Sequence, residues 1–156
     1  MEPKYVRESA SEYSELALPN DANTLGTLLG GKIMHLVDLA GAIAAMKHSR
    51  RVVVTASVDN MQFIHPVRIG QWVRLKSSVN RAFRTSMEVG VKVWVEDLLT
   101  GEEKHVSSAY LTFVALDGDR KAVEVPELIP ETAEEKRRYD EAGKRREYRL
   151  SVRSSK

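Results

Sequence analysis

The chain contains no cysteine, which excludes disulfides, thiolate metal ligands and a cysteine nucleophile, and accords with a cytoplasmic protein. No run of 18 or more residues is free of charge, so no membrane-spanning helix is expected. The opening residues include Glu2, Lys4, Arg7 and Glu8 and lack the apolar core of a signal peptide. The G-x-G-x-x-G pattern and its preceding strand are absent, which removes the dinucleotide fingerprint. The four histidines, His35, His48, His65 and His105, have neither the spacing nor the context of a zinc site, and no metal is expected. A large net charge is also missing, at +2 over 156 residues. The balance is uneven, because residues 131–156 hold nine Lys/Arg against six Asp/Glu, whereas residues 1–130 hold fifteen against sixteen. The basic tail mixes both signs and offers only Tyr139 and Tyr148 for stacking, a poor match to a nucleic-acid surface.

What is present is enough for one domain with a real core, 42% apolar over a length typical of single domains. The chain is organised around Gly30 to Lys47, which reads as a helix opening on two glycines. Ile33, Met34, Leu36, Val37, Leu39, Ile43 and Met46 do not fit one stripe, so the helix is expected to be buried on most faces. Asp38 lies among Leu36, Val37, Leu39 and Ala40, where a carboxylate is costly unless paired, hydrated or used.

Ser9 to Pro19 alternates loosely as a first strand, and residues 19–26 form a loop rich in turn formers. After the helix come four strand-like runs. Val52 to Val58 is β-branched and continues to Ile64, before Pro66. Trp72 to Val79 and Met87 to Glu96 alternate with period two, and Val106 to Leu116 completes the set. Short links make an antiparallel meander, which can bury the helix by curling around it. Asp59 and Asn60 lie in a strand and are expected to be exposed polar positions or edge ligands. Glu131 to Arg149 has helical composition, with Glu131, Glu134 and Glu135 ahead of Lys136, Arg137 and Arg138. Alternation puts Trp72 and Trp94 on outward faces, and outward tryptophans on a small domain point to covered interfaces and a homo-oligomer.

The segments PNDANTLGTLLGGKIMHLVDLAGAIAA, VVTASVDNMQFIHPVRIGQWV and NRAFRTSMEVGVKVWVEDLLTGEEK, in that order, resemble the hotdog-fold acyl-CoA thioesterases. The branch they resemble is that of bacterial acyl-CoA hydrolases, similar to the cytosolic tandem-domain enzymes of animals. The resemblance covers about residues 10–116 and more loosely the tail. It implies an α+β hotdog domain over 1–125, followed by a charged helical tail over 126–156. It implies hydrolysis of acyl-CoA to CoA and a carboxylic acid, with CoA as part of substrate and product and no cofactor. It also implies a site shared between two hotdog domains, with a dimer as the active unit in a trimer of dimers.

By position, Asp38 matches the family's catalytic acid residue, Asn23 the asparagine facing it from the partner domain, and Gly30 and Gly31 the glycines whose amides approach the thioester carbonyl. Ala56, Ser57 and Val58 match the strand lying along the pantetheine arm. Thr85, Ser86 and Met87 match a second CoA contact, near Arg81 and Arg84, while Arg145 and Arg146 lie near a position that meets the nucleotide. Arginine forks suit phosphate groups. The chemistry is coherent in itself. A helix N-terminus offers unpaired N–H groups and partial positive charge to a developing oxyanion, and glycine there lets the backbone come close. Asp38 serves either as general base on water or as a nucleophile giving a mixed anhydride. A different class, a non-catalytic acyl-CoA-binding regulatory domain, needs only the CoA contacts and not Asp38, Asn23 and the glycine pair together.

Overall fold

Period-two alternation builds the sheet, and the spacing of small and branched residues decides what it holds. The computed structural model describes residues 1–154. In chain order the elements are β1 (Lys4–Tyr5), β2 (Ser11–Leu16), α1 (Gly30–Ser49), β3 (Val52–Phe63), β4 (Trp72–Ala82), β5 (Ser86–Glu96), β6 (Glu103–Leu116), β7 (Leu128–Ile129) and α2 (Ala133–Ser154), with single 3-10 turns at Val6–Glu8 and Pro19–Asp21. Five strands form one antiparallel sheet in the order β2-β4-β5-β6-β3, and β1 pairs with β7 in a separate parallel ribbon. This is the α+β hotdog arrangement, a sheet curved onto one long helix.

Odd-numbered residues of β4 and β5, such as Val73, Leu75, Val79, Val89, Val91 and Val93, are buried in the core with Leu111 and Phe113 of β6 and with Ile33, Leu36, Val37, Ala40 and Ala44 of α1. The helix lies close to the strands because its contact residues are small. A Cβ on Gly41 would sit 3.0 Å from the Phe113 ring and 3.5 Å from Val91, and Ser77 Oγ donates to the Ala40 carbonyl at 2.8 Å. The helix ends where Arg50 takes a left-handed φ of 55°. Its last carbonyls, on Lys47 and His48, accept from the Lys4 ammonium at 2.9 and 3.0 Å, which places a cation at the negative end of the helix dipole.

The expectation that α1 is buried on most faces is corrected. Met34 is 49% exposed, Leu39 36% and Met46 40%, because the sheet curves against one side of the helix only. The uncovered flank continues onto β3, the edge strand, where Val52, Val54, Val58 and Phe63 are exposed.

The opposite, outer face of the sheet has a cover of its own. Glu88 belongs by alternation to that face, yet it is fully buried, because α2 lies across it. Arg145 forks onto Glu88 at 2.7 and 2.9 Å, and Asn80 Nδ2 donates to the same carboxylate at 2.9 Å. Gly90 makes room for Asn80, whose amide would lie 3.0 Å from a Cβ there. Asp59, expected to be exposed, instead pairs with Arg149 of α2 at 2.7 Å, because α2 reaches as far as β3. Trp72 and Trp94 do point outward, Trp72 40% exposed and Trp94 half-buried beside His105.

His48, buried at the end of α1, has Nε2 2.7 Å from the Pro126 carbonyl. A carbonyl only accepts, so Nε2 carries the proton, and Nδ1 has no hydrogen-bond partner among the described residues. Burial, with the Lys4 ammonium near, lowers the pKa below the usual 6.5, against opposing contributions from Pro126 and Glu8. The unfolded chain therefore binds a proton that the folded one refuses. The stabilisation is complete above about pH 6.5 and is lost as pH falls toward the lowered value. Melting temperatures from pH 8 to pH 5 should fall in the wild type and fall less in His48→Gln; parallel curves would show that His48 does not titrate on unfolding.

Candidate active site

The segment leading into α1 is held by its own backbone. Asn23 Oδ1 accepts from the amides of Leu25 and Thr27 at 2.9 and 3.2 Å, and its Nδ2 donates to Thr27 Oγ1 at 2.8 Å. Gly26, at φ 80°, makes the turn inside this knot. Leu28 and Leu29 then bond to the carbonyls of Val67 and Asp21, which fixes the direction in which α1 starts. Lys32 in the first turn reaches Glu15 at 3.1 Å and Asp21 at 3.6 Å, and the bond to Glu15 raises its pKa above the ordinary lysine value.

Leu29 precedes α1 with extended backbone and no side-chain cap. Its carbonyl accepts from Lys32 and Ile33, whereas the amides of Gly30 and Gly31 have no acceptor among the described residues. A Cβ on Gly31 would meet nothing within 4 Å, and one on Gly30 would make only ordinary contact with Phe63 at 3.8 Å. Packing inside the chain therefore does not require this glycine pair.

Asp38 lies two turns further along, half-buried on the uncovered flank. Thr55 Oγ1 of β3 donates to Asp38 Oδ1 at 2.6 Å, a charge-assisted bond that fixes the carboxylate. The other oxygen has no partner among the described residues. No hydrogen bond joins Asn23 to Asp38 within the chain, and His35 is exposed.

Of the other residues singled out in the sequence, Ala56, Ser57 and Val58 lie on β3 at the free edge of the sheet. A bulge between Thr55 and Ser57 leaves Ala56 out of the ladder. Thr85 ends the β4–β5 turn and Ser86 opens β5, with their carbonyls taken by Ala115 and Phe83. Met87 is wholly buried, so only its backbone can meet a ligand. Arg81, Arg84 and Arg146 line one cavity of about 840 Å3 with Phe83 and Tyr139. Arg81 lies 4.1 Å from the Tyr139 ring centre and Arg146 4.7 Å from that of Phe83. Arg84 is turned outward, with Glu124 at 3.4 Å. Arg145 is separated from this group, because Glu88 occupies its fork and raises its pKa above the usual guanidinium value. Sequence reasoning missed Thr55 and Glu88. The only signal for Thr55 was a hydroxyl inside a β-branched run, and for Glu88 an acid matched by an excess of arginine in the tail.

The model of the thioesterase superfamily matches residues 25–102, half of the chain. The chain belongs to the thioesterase superfamily. A Bacillus subtilis protein described as an uncharacterized acyl-CoA thioester hydrolase is 42% identical to this thioesterase over 134 residues, 86% of this chain and 78% of its own. Mouse acyl-coenzyme A thioesterase 11 is 38% identical over 94% of this chain, which spans 24% of the mouse protein. Among solved structures, an apo hexameric acyl-CoA thioesterase superposes with a TM-score of 0.95 at 39% identity, covering both chains completely. The acyl-CoA hydrolase of Staphylococcus aureus, in complex with butyryl-CoA, CoA and CoA disulfide, superposes at 0.90 with 36% identity over 98% of this chain and 94% of its own. Solved alanine variants of that hydrolase replace one asparagine, one aspartate and one threonine.

The two kinds of arginine should separate by experiment. Arg145→Ala leaves the Glu88 carboxylate buried without its partner, and should cost about 3 kcal/mol in urea unfolding. Arg84→Ala, at an exposed position, should change stability by about 0.5 kcal/mol or less. Equal stabilities for the two variants would remove the structural role assigned to Arg145.

Proposed function

We propose that this thioesterase hydrolyses acyl-CoA thioesters to CoA and carboxylic acids, with Asp38 as the general base, at a site completed by a second copy of the chain. The observation that carries the reading is the Asp38 carboxylate, pinned on one oxygen by Thr55 and free on the other, on a flank left bare by its own sheet. Asp38 takes a proton from water as the water oxygen bonds to the thioester carbon. The carbonyl oxygen takes up the negative charge against the amides of Gly30 and Gly31, in the manner of an oxyanion hole. The C–S bond then breaks, and the proton passes to the departing sulfur.

One chain alone does not bring these parts together. Asp38 lies seven positions along the helix from Gly31, about 10 Å at 1.5 Å per residue, too far for both to serve one carbonyl. The glycine amides and Asn23 of a second copy, placed against the bare flank of α1 and β3, resolve this. The hexamer among the relatives supports assembly of this kind, here as a trimer of dimers. The three alanine variants of the Staphylococcus aureus hydrolase lie 15 and 17 residues apart, as do Asn23, Asp38 and Thr55, which supports the same three roles. Ala56, Ser57 and Val58 offer backbone groups to the pantetheine amides, and Thr85, Ser86 and the Met87 backbone a second contact. The phosphates fall to Arg81, Arg84 and Arg146; Arg145, matched by position to the same task, is already held by Glu88. Nothing in this scheme requires a metal or cofactor, and the cysteine-free chain suits the cytoplasm.

Thiol release from a panel of acyl-CoAs tests the reading. Asp38→Asn should fold and lose on the order of 10²–10⁴-fold in turnover, and Thr55→Ala should lose less. Wild-type turnover in Asp38→Asn would remove Asp38 as the base, and a wild-type protein that binds acyl-CoA without releasing thiol would be a regulatory binder. The shared site has its own test. Asn23→Ala and Asp38→Ala, each inactive, should recover part of the activity when mixed under conditions of subunit exchange. Persistent inactivity with exchange verified would place both residues in one chain's site.

A further inference from the structure

On the outer face of the sheet, Lys76 of β4, Lys92 of β5 and Ser108 of β6 stand in a single row, each in register with the next. Like charges directly opposite on neighbouring strands destabilise a sheet, and neither lysine has an acidic partner among the described residues. Glu12, in register with Lys76 on the far side, is turned to Arg74 at 2.8 Å. Arg138, close by on α2, is held by Glu134 at 2.6 Å. The two ammonium groups are thus the uncompensated charges of this region.

The row opens on a cavity of about 510 Å3 between the sheet and the first half of α2, a volume in the range of small-molecule sites. Ala10, Gly90 and Tyr110 line it beside Glu12 and Asn80, Val91 and Ala109 turn their side chains to the core instead, and the lysine stems add apolar wall while their heads stay free. Ser108 Oγ lies 2.7 Å from His105 Nε2. With the proton on Nε2, the imidazole donates to Oγ and leaves the hydroxyl hydrogen for an anion. His105 rests against Trp94, with ring centres 5.0 Å apart, which limits its rotation. Two cations and a hydroxyl at the edge of an apolar trough are complementary to a negatively charged head on an alkyl chain.

We propose that this trough binds an anionic single-chain amphiphile, its head on Lys76, Lys92 and Ser108 and its chain along the apolar wall. No residue of α1 or β3 lines the cavity, so the site is distinct from the one around Asp38. The carboxylic acid released by thioester hydrolysis is one source of such a ligand, and an alkyl phosphate is another.

Calorimetric titration of the intact protein tests this with dodecanoate, dodecyl phosphate, dodecanol and inorganic phosphate, all below micelle-forming concentrations, with and without CoA. Dodecanoate or dodecyl phosphate should bind whether or not CoA is present, and whichever binds more tightly identifies the source. Dodecanol and inorganic phosphate should each bind at least about tenfold more weakly, since each lacks half of the recognition. Lys76→Gln with Lys92→Gln should weaken binding of the amphiphile by about tenfold or more. The same double variant should raise the melting temperature of the unliganded protein, because the facing charges are gone, and should leave thiol release unchanged. The proposal is overturned by unchanged binding in the double variant, by a lowered melting temperature, by displacement with CoA, by equal binding of dodecanol, or by no binding at all.

Discussion

The close approach of α1 to the sheet at Gly41 and Phe113 is the constraint on which the rest depends. A ring 3.0 Å from where a Cβ would stand leaves no room for a larger residue without moving the helix, and interiors packed at crystal density transmit such a shift. Alanines at 40, 44 and 45 extend the same flush contact along the helix. The depth at which α1 sits sets the height of Asp38 above β3, and with it the 2.6 Å bond from Thr55. The core and the candidate site are in this sense one structure: the packing of a glycine against a phenylalanine aims a carboxylate.

The sheet separates two faces with different chemistry. Inside, the contacts are aliphatic and the helix carries the charged group only at its margin. Outside, α2 is fastened by arginines, with Arg145 on Glu88, Arg149 on Asp59, and Arg81 donating to the Tyr139 carbonyl while stacking on its ring. Fastening by a buried ion pair is directional, because the carboxylate tolerates few positions of its partner. Gly143 tightens the same contact: an Arg81 nitrogen stands where a Cβ would crowd it. The excess of basic residues in the tail thus has an internal use at the sheet, apart from any ligand.

Most of the fold was legible in the sequence. The period of two in Met87 to Glu96, the β-branched run at Val52 and the glycine-led apolar helix each became the expected element, since each local pattern agreed with the global arrangement. What could not be read was which apolar residues the same chain covers. Met34, Leu39 and Met46 look like core residues, and nothing local separates a residue buried by its own sheet from one left for another surface. Glu88 shows the converse, since alternation assigns it to the outer face but not to the cover over that face. For the site, the aspartate, asparagine and glycine pair stood out through their order along the chain. Thr55 did not, because its contact with Asp38, 17 residues earlier, depends on how a strand and the helix before it are set against each other.

The ribbon of β1 and β7 carries a consequence for how the molecule is made. Lys4 pairs with Leu128 across 124 residues, and its ammonium closes the last turn of α1. During synthesis β1 must stay unpaired until β7 has followed it, and closing so long a loop is among the slow steps of folding. Until then the end of α1 has open carbonyls, and α2, which starts four residues after β7, has not emerged to cover the sheet. The nascent chain therefore shows the outer face of its sheet before α2 hides it, and the helix that shields the sheet is made only after all five of its strands.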